Sequence, residues 1–275
     1  LKYLPMLCTG EALWAFGLTE PDAGSDSRES KTTAKLENGQ WRINGSKIFI
    51  TNGSEEISMG ATVQAVTRVN DDGSKEFTTI IVEKGTPGFK RVQMHGKLMW
   101  RASDTSELYF DDCHVPVANL LGEENQGFKL AARNFNVERI TLAANCVAFS
   151  QLCLDETVAY ARERRTFGQA LIEHQVVRHK LVDMAMNITA TQAMLENIAW
   201  RVDRGESPVA EICMLKNMST ITMELCAKHA VQTFGGAGYI RGNKAERIYR
   251  EVRVNAIGGG AEEIMRDLAA RQMGW

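Results

Sequence analysis

Near the end of the chain, the run Ala256-Ile257-Gly258-Gly259-Gly260-Ala261-Glu262-Glu263-Ile264 sets three consecutive glycines directly ahead of a helix-forming stretch. Glycine loses more conformational freedom on folding than any other residue. Three in a row therefore belong where the main chain must approach something closely or present its amides. From Ala261 to Met273 the apolar residues Ile264, Leu268 and Ala269 recur at helical spacing. The glycines thus stand at a helix N-terminus, where unpaired N–H groups and the helix dipole favour an anionic or polarised oxygen. The motif contains no side chain able to take a proton in that turn, so a reaction held there draws its base from elsewhere.

Two textures of sequence must position such a site. Over residues 10 to about 118, short β-rich runs alternate with turn signals: Trp41-Arg42-Ile43 and Lys47-Ile48-Phe49-Ile50 flank Asn44-Gly45, a dipeptide favoured in tight hairpins. Met59–Val69, Phe77–Glu83 and Glu107–Phe110 are further candidate strands, separated by Asp71-Asp72-Gly73 and Pro87-Gly88. This pattern predicts an antiparallel sheet domain, a barrel or sandwich, over 1–118. After Pro116 the texture turns helical. Val177, Leu181, Met184, Ile188, Leu195, Ile198 and Val202 keep three-to-four spacing up to Gly205 as a C′ residue. Ser207-Pro208 reads as an N-cap followed by Pro at the first helical position. The helix it opens carries Ile212, Leu215, Met218, Ile221 and Leu225 on one side and stops near Gly235-Gly236. Residues 119–275 are thus expected to form an up-and-down helical bundle, and the fold class is α+β.

Composition narrows the chemistry. The 275 residues are 44% hydrophobic and 24% charged with a formal net charge of -2, which gives no electrostatic argument for nucleic acid or an anionic membrane. No apolar run reaches membrane-spanning length. The cysteines Cys8, Cys113, Cys146, Cys153, Cys213 and Cys226 form no C-x-x-C pair, and the histidines show no metal-ligand spacing. Buried reduced thiols in a reducing compartment, and no metal, are the expectation. Phe234-Gly235-Gly236-Ala237-Gly238-Tyr239 is glycine-rich but follows a helix with no βαβ unit around it, which excludes a nicotinamide-type Rossmann site. The chain opens at Leu1 rather than Met, which reads as an interior start.

Four segments in order carry a family resemblance: Leu18-Thr19-Glu20-Pro21-Asp22-Ala23-Gly24-Ser25-Asp26, Asn44-Gly45-Ser46-Lys47-Ile48-Phe49-Ile50-Thr51-Asn52-Gly53, Arg164-Arg165-Thr166-Phe167-Gly168 and Gln232-Thr233-Phe234-Gly235-Gly236. Together they resemble the acyl-CoA dehydrogenases, flavoenzymes with an N-terminal helical domain, a middle β domain and a C-terminal four-helix bundle. The likeness covers the last two parts. It implies FAD as cofactor, with Phe16, Leu18 and Thr19 along the isoalloxazine, Phe49 where relatives usually carry Trp, and Thr51 near flavin N5. Ser25 would lie toward the CoA arm. Arg164, Phe167, His174 and Gln175 match positions that reach the adenine end of FAD across a subunit boundary. Gln232, Gly235 and Gly236 match the partner segment at the pyrophosphate, and Glu263 matches a flavin contact. A homotetramer built as a dimer of dimers follows from the resemblance, as do an electron-transferring flavoprotein as acceptor and a cytoplasmic location (the mitochondrial matrix in a eukaryote).

In many members the catalytic base is a Glu at the position that aligns with Gly259. A subset that includes the isovaleryl and long-chain enzymes carries it on a bundle helix directly before an Arg. Phe135-Asn136-Val137-Glu138-Arg139 matches that arrangement, so the resemblance makes Glu138 the base, ahead of Glu262 and Glu263. Burial among Val137, Ile140 and Leu142 is expected to raise its pKa. The Gly259 N–H would polarise the thioester oxygen, Gly258 and Gly260 would shape the pocket with room for a methyl branch, and Asn136 and Arg139 would meet the CoA portion. The implied reaction is α,β-dehydrogenation of an acyl-CoA, as in fatty-acid β-oxidation. A related oxidase, an enoyl-CoA reductase, or a catalytically incomplete flavin-binding fragment are the alternatives.

Overall fold

The structure is a computed structural model and describes residues 2–275. The chain divides into two compact units, Leu1–Arg133 and Asn134–Trp275. After a short helix α1 (Leu4–Thr9), the first unit holds β1 (Leu13–Gly17), β2 (Thr33–Glu37), β3 (Gln40–Thr51), β4 (Ser58–Val69), β5 (Lys75–Glu83), β6 (Phe89–Gln93) and β7 (Thr105–Pro116). They form a seven-stranded sheet in the order β1-β4-β2-β3-β7-β6, with β5 paired to β4. Trp41, Ile43, Ile50, Val63, Ile80, Val82, Leu108 and Val115 are among the side chains of its core. Strands β3, β4, β5 and β7 cover the segments read as β from the sequence.

Two expectations for this unit are corrected. The sheet is mixed, because β1 and β2 both run parallel to β4. Alternation of apolar residues is blind to strand direction. Nor do Asn44 and Gly45 turn the chain: β3 runs straight through them with a bulge against β7. Gly45 is there because a Cβ would sit 2.5 Å from Thr32 Oγ1, with its backbone at φ +142°. The hairpin lies one Asn-Gly earlier. Asn38 and Gly39, both at positive φ, link Glu37 to Gln40 in the geometry of a type I′ turn.

The second unit contains most of α2 (Gly127–Glu163), then β8 (Arg165–Thr166), β9 (Gln169–Ala170), α3 (Gln175–Asp203), α4 (Val209–Phe234), α5 (Gly236–Tyr239), α6 (Lys244–Glu251), α7 (Arg253–Ile257) and α8 (Glu262–Met273). Cys146 and Cys153 of α2, Met184 and Ile198 of α3, Ile212 and Leu215 of α4, and Ile248 of α6 share one core. A smaller core joins α4 to α8 through Cys213, Met265 and Ala269, with Ile264 and Leu268 half-buried beside it. The expected helix ends at Gly205 and Gly235 hold. At the start of α4, Pro208 is itself the cap residue, and Ser207 contributes its backbone carbonyl to Val209 N at 2.9 Å rather than a side-chain cap. The single-sided stripe read for α4 is also too narrow: helices α3, α5, α6, α7 and α8 pack on it, and it buries Lys216, Asn217, Ser219, Thr220 and Thr222 as well as its apolar residues, while Ile221 is exposed. All six cysteines are free thiols; Cys8 is exposed and the other five are buried.

Candidate functional site

In the β unit, the Leu18–Ala23 loop leaves β1 and folds back on β3. Thr19 O accepts from Ile48 N at 2.9 Å, and Glu20 and Ala23 exchange a pair of backbone hydrogen bonds. The loop is built around a buried ion pair. Lys47 Nζ, with a fully enclosed side chain, lies 2.8 Å from Glu20 Oε1 and donates to Leu18 O at 3.0 Å. The Glu20 carboxylate also accepts from Lys31 N at 2.6 Å and Thr32 N at 3.0 Å. Burial alone would raise the Glu20 pKa, but the Lys47 charge and these donors outweigh it and hold the group below its ordinary range. Phe16, Leu18 and Thr19 are consequently half-exposed on this edge, while Ala15 and Gly17 between them face the core.

Phe49 belongs to the same edge. Between Lys47↔Leu108 and Ile50↔Ser106 the β3–β7 register slips, and within that bulge Phe49 takes φ +62° with its ring 62% exposed. Bulges of this kind re-aim a side chain. Thr51 is exposed two residues on, and Ser25 is exposed in the loop after Ala23. Leu18 and Thr19, which follow Phe16 out of β1, thus lie against the stretch of β3 that leads into Phe49 and Thr51.

The helical unit presents two further groups of the expected residues. The first is the β8–β9 hairpin between α2 and α3. Its turn, Phe167-Gly168, has both residues at positive φ, and Phe167 is 99% exposed. His174 ties the hairpin down, with Nε2 3.2 Å from Thr166 Oγ1 and Nδ1 3.1 Å from Gln169 Nε2. Arg164 and Gln175 are exposed beside it. Tyr160 stacks on Phe234 at a ring distance of 4.4 Å and donates to its carbonyl, while Gln232, Gly235 and Gly236 lie exposed at that end of α4.

The second group surrounds the glycine triplet. Gly259 and Gly260 adopt φ +68° and +109°, whereas Gly258 has an ordinary φ of -67°. Left-handed backbone is readily available only to glycine, so two of the three residues are fixed by conformation. Arg139, buried, donates from Nε to Gly259 O at 2.9 Å, and its guanidinium lies over the Phe135 ring. Asn136 Oδ1 accepts from Arg139 Nη1 at 3.4 Å. Lys216 of α4, with no exposed surface, donates to Gly260 O at 2.7 Å and Ala256 O at 3.0 Å. Its neighbour Asn217 donates to Glu262 O at 2.8 Å. The Arg139 side chain thus turns toward the loop of the triplet.

Glu138 precedes Arg139 on α2, on the helical row Asn134, Glu138, Leu142. A Cβ at Gly259 would lie 3.8 Å from Leu142 Cδ1 and 3.9 Å from Arg139 Cγ, so α2 meets the triplet at Leu142 and Arg139, one turn after Glu138 and next to it. Asn134 Nδ2 donates to Glu138 Oε1. Contrary to the expectation of burial, Glu138 is exposed in the single chain. Partial desolvation by its surroundings nonetheless raises its pKa, against the opposing pull of Asn134 and the Arg139 charge. Of the other two acids, Glu262 pairs with Arg266 at 3.1 Å one turn on, and Glu263 is exposed. Helix α8 starts at Glu262, with Ala261 as its cap residue.

Lys216 and the Glu20–Lys47 pair were not singled out from the sequence. The available signal was a lone cation within an apolar run, Cys213-Met214-Leu215-Lys216, and a lysine at even spacing from the inward-facing Ile43 of the same strand.

Comparison with known proteins follows the same division. The family model "Acyl-CoA dehydrogenase, middle domain" matches residues 15–113, and "Acyl-CoA dehydrogenase, C-terminal domain" matches residues 125–274. An acyl-CoA dehydrogenase of Bacillus subtilis (strain 168) is 38% identical over 274 residues, covering 99% of this chain and 71% of the relative. The mitochondrial isovaleryl-CoA dehydrogenase of Oryza sativa subsp. japonica is 36% identical over 273 residues, 99% of this chain and 66% of that protein. The solved butyryl-CoA dehydrogenase of Megasphaera elsdenii superposes with a TM-score of 0.93 at 33% identity, over 100% of this chain and 71% of that one.

Proposed function

This chain belongs to the acyl-CoA dehydrogenase family, an oxidoreductase family of flavoproteins, and from that premise we propose that it oxidises an acyl-CoA thioester to the 2-enoyl-CoA with FAD and with Glu138 as the base. The observation that carries the reading is the glycine triplet, set beside the Glu138 row and emptied of any base of its own.

The residues present fit a flavin. Phe49 and Phe167 are aromatic, exposed, and held on left-handed backbone that costs roughly 1–2 kcal/mol each. Neither ring is covered by the chain that bears this cost, as expected of surfaces completed by a planar ligand. Phe16, Leu18, Thr19, Phe49 and Thr51 would hold the ring system. Arg164, Phe167, His174 and Gln175 would serve its adenine end, and Gln232, Gly235 and Gly236 the pyrophosphate, in an oligomer whose chains share each cofactor. FAD, when bound, supplies the acceptor for the hydride leaving the β-carbon.

The chain's own residues do the rest. The Glu138 carboxylate takes the proton from the α-carbon, and Asn134 donates a hydrogen bond to its Oε1. Its raised pKa makes it a stronger base than a solvated glutamate. Backbone amides of the triplet, Gly259 first, would accept the thioester oxygen and stabilise the charge that develops as the α-proton leaves. Ser25 would meet the CoA arm. Gly258, lacking a side chain, leaves room beside the β-carbon for a methyl branch. An electron-transferring flavoprotein would reoxidise the enzyme.

Anaerobic mixing of the FAD-loaded protein with straight and branched acyl-CoAs tests the reading. Bleaching of the flavin band is expected with at least one of them, and its loss in Glu138→Gln with the flavin still bound. Absence of bleaching across the panel would refute the activity, and full turnover by Glu138→Gln would refute the base.

A further inference from the structure

We propose that Lys216, a buried lysine with no role in proton transfer, is the positioning residue of the thioester-oxygen site. This inference rests on the function proposed above. Lys216 is enclosed on α4, where an ammonium group has no solvent to satisfy it, and it binds two main-chain oxygens, Ala256 O at the end of α7 and Gly260 O in the triplet. Burying a charge is costly unless it is well partnered, so a lysine here is explained by what it holds. Arg139 of α2 grips Gly259 O, and Asn217 takes Glu262 O just beyond.

Peptide geometry turns these grips into an orientation. In a trans peptide the C=O and N–H point in opposite directions. With Gly259 O drawn to Arg139, the Gly260 N–H faces away from Arg139; with Gly260 O drawn to Lys216, the Ala261 N–H faces away from Lys216. The amides of Gly259 and Gly260 donate to no acceptor among the described residues, while the two carbonyls are anchored. Lys216, through Ala256 O before the triplet and Gly260 O within it, thereby fixes both ends of the segment that carries the Gly259 and Gly260 N–H groups. Glycines at left-handed φ have no side chains of their own to hold such a loop, which is why the hold comes from neighbouring helices.

The test reads carbonyl polarisation directly. Crotonyl-CoA and 3-methylcrotonyl-CoA, each labelled with ¹³C at the thioester carbon, are bound to the FAD-loaded protein and their C=O stretch is recorded by infrared difference spectroscopy. Wild type is expected to lower the stretch relative to free ligand. Lys216→Met is expected to lose at least half of that lowering and about tenfold or more in kcat, with KM changed much less and flavin absorbance kept. Lys216→Arg, which retains a cation, is expected to recover most of the shift, and Glu138→Gln to keep the shift while losing turnover. A full shift in Lys216→Met overturns the proposal. Should that variant not fold, Lys216→Gln decides in the same way: a reduced shift supports the role and an unchanged one overturns it. A wild type that binds these ligands with no shift also overturns it. Failure of the wild type to bind either ligand or to bleach with any acyl-CoA would instead overturn the function on which the proposal stands.

Discussion

Removing the Lys47 ammonium should destabilise the protein by an amount that depends on pH, because it leaves Glu20 buried without its counter-ion. The pair is 2.8 Å apart with both side chains enclosed. Breaking a buried pair from one side costs about 3–5 kcal/mol, or roughly 6–20 °C in Tm. In the wild type the folded-state pKa of Glu20 is depressed. Its contribution is therefore present above the unfolded value of about 4.3 and lost as pH falls through the folded one. In Lys47→Met, the Lys31 and Thr32 amides remain but burial now dominates, so the folded pKa rises above about 4.3. Stability then is full below that value and is lost as pH rises through the new one. The gap between wild type and Lys47→Met should thus be small near about pH 5 and large near about pH 7.5. Thermal unfolding of FAD-saturated protein at both pH values measures it. Glu20→Gln/Lys47→Met should regain at least about 1 kcal/mol over Lys47→Met at the higher pH, since no charge is left buried. A gap independent of pH, or a double variant no better than the single, would refute the reasoning.

Four more outcomes are expected. If Glu138 is the base, the acid limb of kcat/KM should lie above the ordinary glutamate range, with activity rising as pH rises through the elevated pKa; for stability the sign is opposite, the protonated form being favoured, so ionisation of Glu138 slightly destabilises the fold. Gly258→Ala should leave unfolding stability within about 0.5 kcal/mol of wild type in denaturant titration, whereas Gly259→Ala should cost about 1–2 kcal/mol for its φ and Gly260→Ala more, since its Cβ would also meet Met265 Cε at 2.4 Å. Gly45→Ala should be worse than Gly39→Ala in thermal unfolding: both strain φ, but only the first collides with Thr32. Phe49→Asn should leave the apo-protein at least as stable, because Asn tolerates left-handed backbone, while weakening FAD binding several-fold to about tenfold in a flavin titration.

Much of the frame was legible in the sequence because helices announce themselves locally. The spacing from Val177 to Val202 delivers α3, and Gly205 marks its end, since both signals reside in the segment itself. Strand direction does not: β1 lies beside β4 only after some forty residues have been folded away between them. Asn44-Gly45 misled because two glycine uses, turning and yielding space, share one dipeptide; the deciding neighbour, Thr32, lies on a different segment. Around the site, the special backbone of the glycine triplet was readable from residue type and order. Lys216 was not, because a lysine in a helix ordinarily reads as solvated, and only the return of the chain at Gly260 shows what its charge does.

The way the triplet is held has a consequence for how such a protein can change. Arg139 and Lys216 grip carbonyl oxygens, which every amino acid possesses, rather than side chains. Position 258 meanwhile sits on ordinary backbone, where an added Cβ would find only Val254 O at 3.4 Å. A side chain can therefore be introduced at 258 without disturbing the Arg139 and Lys216 grips on the residues that follow. Tolerance and constraint thus sit on adjacent residues: one position on ordinary backbone, two locked by left-handed geometry.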